Sequence, residues 1–144
     1  LRANCLPSIW MAPPELRSLR LLLRYRQLTV RQTVQIKNRI ASTLMELGVD
    51  YDSSRLHGKR YYQELLTRLG HLPPPVRWLL ELSRGAIDMF ATTDRLLLRQ
   101  LAQDAALRQR VARLQTIPGV GQITALTWAL ETGDPHRFPN ASHA

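Results

Sequence analysis

The chain has 144 residues, 44% of them hydrophobic and 22% charged: enough apolar material for one small domain with a core, and too much for a disordered polar tail. Twenty Lys and Arg against eleven Asp and Glu leave a net charge of +9, which favours a polyanionic partner, either nucleic acid or an anionic membrane face. No stretch approaches the ~20 uninterrupted apolar residues of a membrane-spanning helix, the opening residues lack the plan of a signal peptide, and cytoplasm is the expected compartment.

In chain order the pattern is all-α, helices separated by proline and glycine. Residues up to Pro13 read as irregular, with Pro7 and the Pro13-Pro14 pair as breakers. Pro14 and Glu15 make a good first turn, and no Pro or Gly follows until Gly48, a natural C-cap. The apolar stripe of this first helix runs Leu16, Leu19, Leu23, Val30, Ile40, Leu44 and Leu47, with Arg26, Thr33 and Lys37 in the same seam, as in an interrupted coiled coil. A polar loop over 49–58 leads to a short helix, Lys59–Leu69, ended by Gly70. Pro73-Pro74-Pro75 forces a change of direction. A second long helix is predicted from Val76 to about Gln103, with Leu79, Ile87, Phe90, Leu97 and Leu101 on one side and Gly85 tolerated inside it. The two long helices are expected to lie antiparallel. Asp104 then caps a further helix, Ala105–Gln115.

Charge singles out the first helix. Arg17, Arg20, Arg24, Arg26, Arg31, Lys37 and Arg39 fall between Leu16 and Met45 with no acid among them. Arg17, Arg20, Arg24 and Arg31 are spaced to share one face, where unneutralised like charges repel and a polyanion relieves the repulsion. The bland alternative is a solvated helix surface, which is normally mixed in sign.

The sharper pattern is Thr116-Ile117-Pro118-Gly119-Val120-Gly121-Gln122-Ile123-Thr124-Ala125. Gly119 and Gly121 permit a tight turn between two helices. Val120 is placed to plug the gap between them, and Ala125 to let them pack closely. The first amides of the second helix, around Gly121 and Thr124, then form an anion site suited to a backbone phosphate. The pattern resembles the helix-hairpin-helix, a sequence-independent DNA phosphate binder; its bland alternative is a helix turn without a ligand. Read together, TIPGVGQITALTWALETGDPHRF and LRANCLPSIWMAPPELRSLRLLLRYRQLTVRQTVQIKNRI resemble the insertion-sequence transposases of the one-ten, one-sixteen and nine-oh-two family.

That resemblance implies three regions: 1–13 as the tail of an upstream RuvC-like nuclease domain, 14–103 as a long-helix linker, and 104–144 as the start of the C-terminal transposase domain. The family's four metal-binding acids, Asp-Glu-Asp-Asp, are expected upstream of Leu1, since the first acid here is Glu15. A divalent metal is accordingly expected only in that nuclease domain, and no cofactor in this chain. The family's serine nucleophile belongs to a later segment than Ser142, so the role is not carried over to it. The implied partners are DNA, a structured guide RNA, and a second copy of the chain through the long helices. On this reading the chain is an internal piece of a transposase, inactive alone. A stand-alone nucleic-acid-binding module and an inert remnant of a decayed element are the alternatives.

Other candidate chemistry is sparse. Cys5 is the lone cysteine, and His57, His71, His136 and His143 lack the spacing of a zinc site. Glu131 and Asp134 could in principle share a metal, but capping the Gly133-Asp134-Pro135 turn is the stronger reading. Ser142 and His143 lack a placed acid for a triad. Trp10, Trp78 and Trp128 are expected to be core or helix-contact residues before base-stacking ones.

Overall fold

The computed structural model describes residues 10–138. The expectations for 1–9, Cys5 among them, and for Ser142 and His143 lie outside the described residues. Five α-helices follow in order: α1 Pro14–Glu46, α2 Lys59–Arg68, α3 Pro74–Leu101, α4 Ala105–Leu114 and α5 Gln122–Thr132, with a final 3-10 turn Pro135–Arg137. Among the described residues there is no strand.

The helix ends follow local chemistry. Gly48, at φ 63°, ends α1 in a Schellman motif: its amide donates to Met45 O at 2.9 Å and the Val49 amide to Leu44 O at 3.0 Å. Pro74 and Pro75 occupy the first turn of α3, where no amide hydrogen is needed. The Val76 and Arg77 amides both donate to Pro73 O. Gly85 leaves α3 unbroken, with open space where a side chain would be. The Asp104 carboxylate accepts from the Leu107 amide at 2.7 Å and starts α4.

The chain forms two compact units. The first comprises the stretch up to Tyr25 and that from Leu97 onward, the second Arg26–Leu96. In the first, Leu23 of α1 and Leu101 of α3 share a core with Leu107 and Val111 of α4 and with Ala125, Leu126, Ala129 and Leu130 of α5. In the second, Ile40 and Leu44 of α1 meet Leu80 and Ile87 of α3. Tyr62, Leu65 and Leu66 of α2, with Leu56 from the preceding loop, close that core.

The long helices α1 and α3 pack antiparallel. Arg26, early in α1, faces Asp94, late in α3, at 2.9 Å, while Ile40 shares its core with Leu80.

The inward rows differ from the expected stripes in three places. Val30 of α1, Leu47 just past its end and Leu79 of α3 are exposed; Thr29 and Leu80 are buried instead. Val30 lies only ~20° round the helix from Leu23 but ~100° from Thr29, so in the second unit α1 turns a different row inward, Thr29, Ile40 and Leu44. On α3 the inward row of the second unit is Leu80, Ile87, Asp94, and Leu79 sits about 100° away from it. Two tryptophans also depart from expectation: Trp78 and Trp128 stand 63% and 62% exposed rather than packed in a core.

The second unit has a polar fringe. The His57 carbonyl accepts from Arg84 at 2.6 Å, but its imidazole Nδ1 is buried without a hydrogen-bond partner. Burial, followed by the charges of Lys37 and Arg84, holds that imidazole below the usual histidine pKa. Arg84 also grips Asp88 at 2.7 Å, and this hydrogen bond is the main reason the Asp88 carboxyl titrates below its ordinary value.

Candidate nucleic-acid interface

Helices α4 and α5 form a hairpin. Leu107 and Val111 of α4 lie against Ala125, Leu126 and Ala129 of α5, with Val120 of the turn packed on the same cluster. Ala125 is fully buried, and a larger side chain there would push the helices apart.

The turn itself is a tight one. Val120 N donates to Ile117 O at 3.1 Å, with Pro118 and Gly119 between them. Gly119 has φ 85°, the left-handed region that the third residue of a type II turn requires, and proline suits the second. Gly121 differs. Its φ of -78° and ψ of 168° are open to any residue, and nothing within 4 Å would meet an added Cβ. Neither backbone conformation nor internal packing therefore demands glycine at this position.

The consequence lies at the start of α5. Gly121 is the N-cap and offers no side-chain acceptor. Among the described residues, the amides of Gln122, Ile123 and Thr124 have no internal acceptor, the first bond of the helix being Ala125 N to Gly121 O at 2.9 Å. These donors, with the positive end of the helix dipole, face outward at exposed Gly121, Gln122 and Thr124.

The far end of α5 is the opposite case. Arg20 donates to Leu130 O at 2.8 Å and Glu131 O at 2.9 Å, and Arg110 donates to Ala129 O and Gly133 O. Two guanidiniums thus satisfy the terminal carbonyls and complement the negative end of the helix. Gly133, buried at φ 67°, closes the helix; a Cβ there would lie 3.0 Å from Leu16 Cδ2 and 3.1 Å from the Trp10 ring.

The predicted arginine face divides. In the first unit Arg17 and Arg24 are exposed and have no acidic partner among the described residues. Arg20 is turned inward onto α5, with Glu131 at 3.8 Å. In the second unit Arg31 and Arg39 are likewise exposed and unpaired, Lys37 is half-buried, and Arg26 is held by Asp94. The acids that neutralise this helix come from α3 and α5, out of sight in a local window.

Three exposed bases of the first unit went unnoticed in the sequence: Arg99, Arg108 and Arg113, none with an acidic partner among the described residues. The available signal was five arginines against Asp104 alone between Arg95 and Arg113. Trp128 is another. It stands beside Arg110, Arg113, Leu114 and Pro135 around a shallow cleft of ≈ 210 Å³.

The acids near the hairpin have structural partners. Asp134 accepts from the His136 amide at 3.0 Å and starts the 3-10 turn, and Glu131 faces Arg20. Among the described residues no group of three or more His, Cys, Asp or Glu is placed to hold a metal ion. No step through the family's divalent metal is assigned to these residues.

Residues 111–144, which contain this turn and α5, match the family model Transposase IS116/IS110/IS902 family. The C-terminal segment is similar to that of the insertion-sequence transposases of this family. No curated protein and no solved structure matches the chain. The transposase segment takes in the last residues of α4, the type II turn and all of α5. A transposase-related function follows for the chain. Among the described residues no helix is long and apolar enough to cross a membrane.

Proposed function

We propose that this chain supplies nucleic-acid binding to a transposase, grips DNA through sequence-independent phosphate contacts in the cytoplasm, and contributes no catalytic group. A structured RNA is a second ligand of the same chemistry. The observation that carries the reading is the amino end of α5, where three amides without internal acceptors surround a glycine that the fold does not itself require. A phosphate oxygen meets those amides at the positive end of the helix, and the missing side chain of Gly121 allows close approach. This is the role of a helix-hairpin-helix. The free guanidiniums of Arg17 and Arg24 in the first unit, and of Arg31 and Arg39 in the second, add bidentate phosphate contacts. Arg20 is excluded from this set, because its donors are spent on α5.

The test is a salt titration of binding to labelled duplex DNA and to a structured RNA. Contact with about five phosphates gives a slope of log affinity against log salt near −4 to −5 on duplex. Gly121→Asp separates binding from folding. An aspartate N-cap stabilises the hairpin by about a few tenths of a kcal/mol relative to glycine, while its carboxylate occupies the amides and repels phosphate. Weaker binding by about tenfold or more in a protein at least as stable as the parent supports the reading. Unchanged affinity, or no binding at low salt by either nucleic acid, overturns it.

A further inference from the structure

The phosphate grip of the hairpin leaves Trp128 unused. Its side chain stands 62% exposed beside the shallow cleft of ≈ 210 Å³, with Leu114, Ala129 and Pro135 as apolar walls and exposed Arg113 alongside. A single exposed apolar side chain is ordinary on a protein surface. Three observations set this one apart. Among the described residues no guanidinium lies over the Trp128 ring, whereas Arg20 stands over Trp10 at 5.7 Å. Arg113 meets no acid among the described residues, so its planar cation is available, while Arg110 is tied to Ala129 O and Gly133 O. The cleft also lies on the same row of α5 as the outward amides: Thr124 is one turn before Trp128, and Thr132, which lines the cleft, is one turn after it.

We propose that this cleft receives one unpaired base of a DNA strand, stacked on the Trp128 indole, while the neighbouring phosphate rests on the amides of Gln122, Ile123 and Thr124. The inference rests on the phosphate grip proposed above and names what lies beside it. An indole face stacks on any nucleobase, and the Arg113 guanidinium offers a second plane that carries a charge. Thr124 and Trp128 are about 6 Å apart along α5, the reach of a single nucleotide from phosphate to base. Aromatic side chains on a helix lean back towards its amino end, here towards the amides. A drug-sized ligand needs ~300–1,000 Å³, so the smaller cleft suits one planar ring system.

Charge chooses the occupant. Helix α4 brings Arg108, Arg110 and Arg113 and no acid to this end of the molecule, so a ring carried on an anionic backbone is favoured over an apolar peptide side chain. A free nucleoside is held weakly in so shallow a cleft. A base on a strand already seated at the amides enters at the effective concentration set by its tether. A paired base is excluded, because its faces are covered within the stack and it must first leave the duplex. The site therefore selects a bulge, a mismatch or a frayed end, and it tolerates any sequence, since every base has a π face.

Two DNA duplexes of one sequence test this, one fully paired and one carrying a single bulged 2-aminopurine, a fluorescent base. The whole chain is compared with Trp128→Ala, Trp128→Phe and Gly121→Asp, and circular dichroism confirms folding; Trp128 is exposed, so replacing it opens no core. The parent should bind the bulged duplex about tenfold more tightly than the paired one and quench its probe. Trp128→Ala should bind both duplexes alike, at the parent's affinity for the paired one, and leave the probe bright. Trp128→Phe should recover part of the preference and of the quenching. Gly121→Asp should weaken binding to both duplexes. The two readings fail separately. Paired-duplex binding that Gly121→Asp weakens, with no bulge preference or with one that survives Trp128→Ala, overturns the base site and leaves the phosphate grip standing. So does quenching by the same bulge in RNA but not in DNA. Affinity unmoved by Gly121→Asp overturns the grip and, with it, the seat of the neighbouring phosphate. No binding to either duplex overturns both.

Discussion

Tyr62 in the second unit and Arg110 in the first do comparable work by different physics. Tyr62 is buried in its core, and its hydroxyl donates to Leu80 O at 2.9 Å, tying α2 to α3. Burial pushes its phenol up to about 12, so it stays a neutral donor. Arg110 ties α4 to the end of α5 through the carbonyls of Ala129 and Gly133, with Arg20 reaching the same end from α1. The second unit is thus the larger apolar core, with polar ties such as Tyr62 to Leu80 O, Arg84 to His57 O and Arg26 to Asp94 around it. The first rests on a smaller hairpin core, and its last helix is finished by two charged side chains and a glycine in the left-handed region. A core built mainly on area tolerates the loss of a polar contact better than one built on directed bonds.

The largest effects should come from cavities. Leu44→Ala in the second unit and Leu130→Ala in the first, both fully buried, are each expected to cost about 2–5 kcal/mol. Hydrogen exchange followed helix by helix shows whether the loss is local. Leu44→Ala should accelerate α2 before α4 and α5, and Leu130→Ala the reverse. Uniform acceleration in both variants would mean that the two units unfold as one block.

Two glycines sharpen the contrast. Gly48 and Gly133 both have positive φ, at 63° and 67°, but only Gly133 is crowded. Gly48→Ala should cost about 1–2 kcal/mol from backbone strain alone. Gly133→Ala should cost roughly 2–4 kcal/mol, because its Cβ also meets Leu16 and Trp10. Equal losses in urea denaturation would break the comparison.

The polar ties come next. Arg110→Met leaves carbonyls without donors and should cost about 1–3 kcal/mol, whereas Tyr62→Phe should cost about 0.5–1.5 kcal/mol. A Tyr62→Phe loss larger than that of Arg110→Met would reverse the ranking of the units.

The smallest effect is one of pH. His57 titrates below the ordinary 6.5 when folded, first because it is buried and then because Lys37 and Arg84 are near. The unfolded chain therefore takes up its proton at higher pH than the folded one. The stability contributed by neutral His57 is complete above the unfolded value. It is lost as pH falls through that value toward the lower, folded one. His57→Gln should flatten this part of the stability profile for α2 and leave α5 unaffected.

The residues themselves show why some features were legible in the sequence. Gly48, Pro74, Asp104 and the Pro118-Gly119 pair act through bonds spanning a few positions, so the ends of α1, α3 and α4 and the hairpin turn could all be read locally. The hairpin's amides follow from the same local reading. The arginine face could not be read that way. Arg20 looked equivalent to Arg17 and Arg24, yet its acceptors, Leu130 and Glu131, lie 110 and 111 positions away. Residue type points Trp78 and Trp128 to a core or a helix contact, but which side of a helix faces a core is a property of its neighbours.

The sequence by itself thus determined the helices, where they stop, the left-handed glycine in the turn, and the excess of positive charge. Each of these depends on capping, φ preference or composition, and none needs a distant partner. Only the tertiary structure decided which charges remain available, that Thr29 rather than Val30 is buried, and that Trp78 and Trp128 stay outside the cores. Burial and neutralisation are set by groups brought together across the chain, and a helix with apolar residues on two faces leaves that choice to its surroundings.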